Sequence, residues 1–328
     1  MAQQGSALAS ASRTPPAGVR VVGIALGVAV VQMVLIWLFA WPSSQAAPHA
    51  VPIALSAPPP VATRITQGLE RALPGAFTIT PVLGAEAAQT AVLDNTDNAA
   101  IVINQSGATL YLASAASPAI AQVLASALPA VLAKANPQAP VTVDDLVPNP
   151  AGDPHGVVPA TGLIPILLTS IVAGALIGLF IPGPRRKLAA LALFGLCAGV
   201  LATLTMQTVL GGLEGSWIAN AATLALLTLA VSAAAAGLVS VIGIAGAGIA
   251  LVVIFFIGLP FSGATSAWQF IPTPWGAIAQ YLPAGAGNQA IRAVSFFDGA
   301  GAATSLVVLA VWALVGVALL LVRGRSGR

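Results

Sequence analysis

"WIANAATLALLTLAVSAAAAGLVSVIGIAGAGIALVVIFFIGL", residues 217–259, runs for 43 positions without one charged side chain. A helix needs about 20 apolar residues to cross the hydrocarbon core of a bilayer, where no backbone N–H or C=O can be left unpaired. The block therefore reads as two crossings laid end to end, with a break near Ser240–Gly243. The rest of the chain agrees. Of its 328 residues 58% are hydrophobic and only 6% charged, whereas soluble domains carry about 25% charged residues.

Four more apolar runs flank this block, at 19–41, 161–181, 188–210 and 302–322, so the expectation is a polytopic α-helical membrane protein with six transmembrane helices. Charge placement orients them. Arg13 and Arg20 precede the first run, Arg185, Arg186 and Lys187 lie between the second and third, and Arg323, Arg325 and Arg328 follow the last. Six alternating helices put these eight of the twelve basic residues on one side and all nine acids on the other. By the positive-inside rule the basic side is cytoplasmic. The reading is a multi-pass plasma-membrane protein with cytoplasmic tails at 1–18 and 324–328. Small residues after the first run also suit a signal peptide, but its apolar core of 19–41 exceeds the ~7–15 residues of one. It is read as a retained anchor. The single Cys197 lies in an apolar run, permits no internal disulfide and reads as a packing residue.

Residues 42–160 alone could fold in water, and the pattern predicts a small extracytoplasmic α/β domain between helices 1 and 2. Its Pro- and Ala-rich start, 42–62, reads as an extended linker. Helices are expected at 63–73, 85–95 and 117–136, strands at 77–82 and 141–148, and a hairpin at 99–114 turning on Gln105-Ser106-Gly107. His49 and His155 sit at opposite ends of the domain with no metal-ligand spacing, and Asp144 and Asp145 point to opposite faces of a strand. No nucleophile–base spacing is present, so the domain reads as a binding or interaction module, without a catalytic site, a cofactor site or a nucleic-acid partner. Glu214 reads as a turn residue. The pairs Gly23–Gly27, Gly174–Gly178 and Gly195–Gly199 have the spacing that lets helices approach closely. No span carries a central acid or base, and neither lysine, Lys134 or Lys187, completes a phosphate-binding loop.

One stretch fits neither a span nor a solvated loop: "LPFSGATSAWQFIPTPWGAIAQYLPAGAGNQAIRAVSFFDGAG", 259–301. Thr273-Pro274 suit an N-cap and first helical position, Trp275, Ile278 and Leu282 recur on one face, and Pro283 stops the turn. "PAGAG" reads as a break, and Asn288 as the cap of a second helix over 289–297 that sets Ile291, Val294 and Phe297 against Arg292 and Ser295. Trp268, Pro272, Pro274, Trp275, Tyr281, Pro283, Asn288, Arg292, Phe297 and Asp298 thus mark an outer re-entrant or interfacial element at 261–300. Arg185, Arg186 and Lys187 mark the corresponding cytoplasmic contact.

Together, six helices, an inserted domain and broken helices before the sixth span resemble the membrane subunits of ABC exporters of the second type. The phrases "VTVDDLVPNPAGDPHG" and "PTPWGAIAQYLPAGAGNQAIRAVSFFDGAG" resemble an actinobacterial permease group related to the phage-infection-protein family. The resemblance implies a non-enzymatic permease, a homodimer or a heterodimer with a similar permease. A separate ATP-binding subunit would power export of an amphipathic or lipid-like substrate, with the 264–297 helices as an upper gate. It also implies that the second and fifth spans line the path. One departure stands out. Such exporters usually carry a coupling helix between the second and third spans, where this chain has only "PGPRRK", 182–187, and its N-terminal tail lacks an amphipathic helix. That departure favours the alternative of a non-transporting envelope scaffold or secretion accessory that binds a partner through its external domain.

Overall fold

The computed structural model describes residues 17–105, 107–135 and 140–325; most of the expected tails, and Ser106 of the expected hairpin turn, lie outside the described residues. Helix α1 (Ala17–Ser44) leads into an α/β unit. That unit comprises β1 (Val51–Ser56), α2 (Pro59–Ala72), β2 (Phe77–Pro81), α3 (Gly84–Leu93), β3 (Ala99–Asn104), β4 (Gly107–Leu112), α4 (Pro118–Ala135) and β5 (Val141–Asp145). Next come α5 (Val158–Phe180), α6 (Pro184–Thr203) with a π-helical extension to Val209, and α7 (Trp217–Ile242). Helix α8 (Ile244–Ala250) runs through a π-helical stretch into α9 (Gly258–Phe261). The short helices α10 (Trp275–Ala279) and α11 (Pro283–Phe296) precede α12 (Ala303–Arg325).

Six helical stretches are long and apolar enough to cross a membrane: Gly18–Ser44, Val158–Phe180, Pro184–Val209, Trp217–Ile242, Ile244–Phe261 and Ala303–Val322. By length and composition this is a multi-pass membrane protein. The expected break near Ser240–Gly243 falls on Gly243, which ends α7 with φ of 68°, a conformation glycine adopts without a Cβ clash. The basic run is not a loop, because Arg185, Arg186 and Lys187 form the first turn of α6 behind Pro184.

Helix α7 is the axis of the bundle, with 15 of its 26 residues buried. Its middle, "SAAAAG", is small enough for neighbours to approach backbone to backbone. A Cβ on Gly174 of α5 would strike the Ser232 carbonyl, and one on Gly199 of α6 would stand 2.6 Å from the Ala221 oxygen. One on Gly316 of α12 would strike the backbone at Ala233 and Ala234. Two of the three expected glycine pairs thus mark close contacts. The third does not: Gly23 and Gly27 meet nothing within 4 Å, because α1 stands apart and touches the bundle only near its end.

In the α/β unit the strand order is β2-β1-β3-β4-β5, with β3 and β4 antiparallel and the other neighbours parallel. Val51, Ile53, Leu55, Ile101 and Ile103 pack against Ile65 and Leu69 of α2 and Leu124 and Leu128 of α4. Ala54, Ala100 and Val102 face the other way, onto Ala88 and Val92 of α3. This two-sided burial is the layered solution a mixed sheet requires. The leading linker expected over 42–62 is corrected here: "VPIALS" is β1, a central strand, and α2 begins at Pro59 rather than Thr63. A proline is tolerated in β1 because Pro52 precedes the register with β3, which starts at Ile53↔Ala99. Pro52 still contributes its carbonyl, which accepts from Asn98 N–H at 3.0 Å.

Candidate functional site

Three segments meet between the α/β unit and the bundle: the loop 149–157, the turn 210–216 and the stretch 262–301. Close backbone contacts join them. A Cβ on Gly152 would stand 2.7 Å from the Gly211 carbonyl oxygen, and one on Gly276 of α10 would strike the Trp268 carbonyl. The Ala47 and His49 amides donate to the Phe270 and Gln269 carbonyls at 3.0 and 2.9 Å, tying the start of the α/β unit to this stretch.

Helix α11 is the centre of the junction. Twelve of its 14 residues are buried, against the apolar core of the bundle on one side and the α/β unit on the other. The expectations for this stretch need four corrections. "PAGAG" does not break the chain: Pro283 opens α11, which runs through it. Its glycines fit because a Cβ on Gly285 would strike the Ala279 carbonyl and one on Gly287 would crowd Leu227 of α7 at 2.7 Å. Asn288 is no cap; it lies buried within α11 and accepts from Arg292 Nε at 3.4 Å. Nor are Arg292 and Ser295 a solvated face, since both are buried, Arg292 against the α/β unit and Ser295 against Asn220 of α7. Thr273 makes no cap either, because Pro274 occupies the N-cap of α10 with no side-chain bond.

Arg292 is 5% exposed. It donates Nη1 to the Ala115 carbonyl at 3.0 Å and Nη2 to the Gly156 carbonyl at 3.2 Å, joining α11 to two loops of the α/β unit. Burial pushes its guanidinium down to about 10, while the nearby Asp153 carboxylate favours the charged form. Asp153 in turn accepts from the Val157 and Val158 amides at 3.0 and 2.6 Å, capping α5. Ser295 Oγ donates to Asn220 Oδ1 at 2.8 Å, and Asn220 Nδ2 donates to Gln207 Oε1 at 2.9 Å and to the Glu214 carbonyl at 2.7 Å. Sequence reasoning missed Gln207 and Asn220. Their signal was a polar side chain at facing ends of two consecutive apolar runs.

Two aromatic side chains complete the joint. Phe270 packs into the core on the α2/α4 side of the sheet, and Phe297 into the core on the α3 side. The expected site residues then divide by surroundings. Trp268, Asn288 and Arg292 line a polar cavity of about 290 Å³ between the α/β unit and α11. Pro283 and Phe297 are buried packing residues. Trp275 stacks obliquely on Phe261 at 5.8 Å, next to Trp41 at the end of α1. Pro272 is half-buried, and Pro274, Tyr281 and Asp298 are exposed. At the far end of the bundle Lys187 Nζ donates to the Gly178 carbonyl at 2.7 Å and Ser240 Oγ at 3.0 Å, tying α5, α6 and α7 together. Arg185 and Arg186 are exposed.

Among the described residues no three His, Cys, Asp or Glu side chains come together as a metal site. His49 Nδ1 lies 3.3 Å from the Gln269 carbonyl oxygen, and Asp145 accepts from the Ser114 amide at 3.1 Å. The cavity wall also holds Asp97, 7% exposed, whose carboxyl burial pushes up, with the hydroxyls of Thr96 and Thr80 opposing. Comparison with protein-family models, with curated proteins and with solved structures finds no match to this chain.

Proposed function

We propose that the chain is the membrane subunit of an exporter of the second ABC type, moving an amphipathic or lipid-like substrate outward with a separate ATPase chain. One observation carries the reading: α11, between the fifth and sixth candidate spans, has twelve of its 14 residues buried on protein, and the short α10 before it buries Gly276 and Ala279. Broken backbone at such a depth is tolerated only when packed or lining a wet cavity. In this reading the basic ends of the spans, with Arg20, Arg185 and Arg186, are cytoplasmic, the α/β unit is extracytoplasmic, and the protein works as a dimer in the plasma membrane. The junction under the α/β unit is then the outer gate.

A second reading has its own support. The turn from α5 to α6 spans only Ile181–Gly183, that from α7 to α8 only Gly243, and Lys187 is engaged within the bundle. Among the described residues no helix projects there to receive an ATPase, which favours a non-transporting envelope scaffold or secretion accessory. Gentle purification from native membranes separates the two. A stoichiometric P-loop ATPase supports the exporter; its repeated absence, with an envelope or secretion protein in its place, overturns it.

A further inference from the structure

The junction cavity has a composition that asks for a particular ligand. At about 290 Å³ it equals roughly ten waters at ~30 Å³ each, the scale of one six-membered polyhydroxylated ring. Amides and hydroxyls dominate its wall, with the Asp97 carboxyl, the Arg292 guanidinium and the Trp268 indole among them. Three buried side-chain acceptors lack a donor among the described residues, and two of them, Asp97 Oδ1 and Gln280 Oε1, belong to this wall. Turning the Gln280 amide round would not help. Its Nε2 donates to the Ser262 and Gly276 carbonyls at 3.3 and 3.0 Å, which can only accept. Both orphan oxygens are buried, and the terminal torsion of Asp97 is soft enough to bring its oxygen to a donor.

Two acceptors of this wall therefore await donors, beside amides and hydroxyls that offer both donor and acceptor. An anion brings acceptors only and meets the Asp97 carboxylate. A bare metal ion needs about six oxygens in one tight shell and leaves most of this volume unused. A neutral ring carrying hydroxyls supplies a donor and an acceptor at each carbon, matching amides such as Gln269 and Asn288 that offer both. Its C–H face suits the Trp268 side of the wall. Arg292 has three of its five N–H groups engaged with protein acceptors, so it stiffens the wall more than it selects an anion.

We propose that this cavity binds one polyhydroxylated six-membered ring, a sugar or cyclitol unit, presented free or as a lipid headgroup. The site does not depend on the transport reading and would serve a scaffold equally. The test uses the full chain in nanodiscs, with calorimetric titration of glucose, mannose, galactose and myo-inositol, and glycine and inorganic phosphate as competitors of other chemistry. A second arm uses nanodiscs doped with a glucosyl lipid or phosphatidylinositol, with lipid retention read by native mass spectrometry.

Saturable binding of a free ring in plain bilayers assigns a soluble source, and retention of the doped lipid alone assigns a headgroup; both support the site. Asp97→Ala removes the orphan acceptor and Ser305→Phe fills the cavity from the first turns of α12. Each should weaken binding by at least about tenfold, and the variant that keeps the wild-type melting profile decides. No ring bound in either arm, binding indifferent to both variants, or an Asp97-dependent response to glycine or phosphate instead would overturn the proposal.

Discussion

Replacing Arg292 by Met removes the latch between α11 and the α/β unit while keeping the length of the side chain. Two carbonyls, Ala115 O and Gly156 O, lose the donors they have in the structure, at about 1–3 kcal/mol for each buried group left unpaired. Asp153 also loses its buried counter-charge. Against this stands the guanidinium's own desolvation, which the substitution relieves; removing one partner from a buried charged cluster still costs about 3–5 kcal/mol in other proteins. The lower end, about 3 kcal/mol, is the expected loss, because the two loops can relax toward water. The assay is hydrogen–deuterium exchange of the protein in nanodiscs, read at the amides of Ala115, Gly156, Val157 and Val158, all of them bonded within these loops. If they exchange by local separation of the unit from α11, their rates rise on the order of a hundredfold. Amides of α2, which carries none of the groups Arg292 engages, keep their rates. Unchanged exchange in the two loops, with α11 still protected, would show that Arg292 does not hold the joint.

Glycines on α1 and α12 should respond with opposite signs to the same change. Gly316→Ala drives a methyl into the α7 backbone and should cost about 1–3 kcal/mol, whereas Gly27→Ala meets nothing and should gain up to about 1 kcal/mol of helix propensity; thermal melting in one detergent compares them. Phe297→Ala empties the α3-side core and should cost about 3–5 kcal/mol, read as faster proteolysis of the α/β unit with the spans intact. Asp97→Asn should stabilise the unit at neutral pH. The folded pKa of Asp97 lies above the ordinary 3.8, so the folded state binds its proton more tightly and stability falls as pH rises through that interval. The gain of the Asn variant should therefore shrink on acidification and vanish below pH 3.8; an equal gain at all pH values would exclude burial of the carboxylate as its cause.

The bundle was legible because a membrane leaves the chain few choices: each span announces itself by length, and Gly243 by being the glycine where a double-length run must turn. Most of the α/β unit was legible from alternation and caps. β1 was not, since "VPIALS" is short, holds a proline and is flanked by others. What makes it a strand is pairing with Phe77–Pro81 and with Ala99–Val102, information that lies outside the segment. The site failed for a related reason. A helix with Arg292 and Ser295 on one face reads as half-wet, yet its water is replaced by carbonyls 177 and 136 positions away. "PAGAG" carries every local mark of a hinge. Only the nearness of Ala279 and Leu227 shows that its glycines serve contact instead of flexibility.

The placement of Phe270 and Phe297 on opposite sides of one sheet has a consequence for how the protein is made. The sheet is complete in the chain by Asp145, but each of its two cores is finished by a residue synthesised more than a hundred positions later. A nascent chain halted after the fourth span therefore holds a sheet with both cores open. Closure of the α/β unit thus waits for the segment between the fifth and sixth candidate spans, so the finished unit reports that this segment has folded into place. A chain truncated before Phe270 would leave both cores of the sheet unfinished.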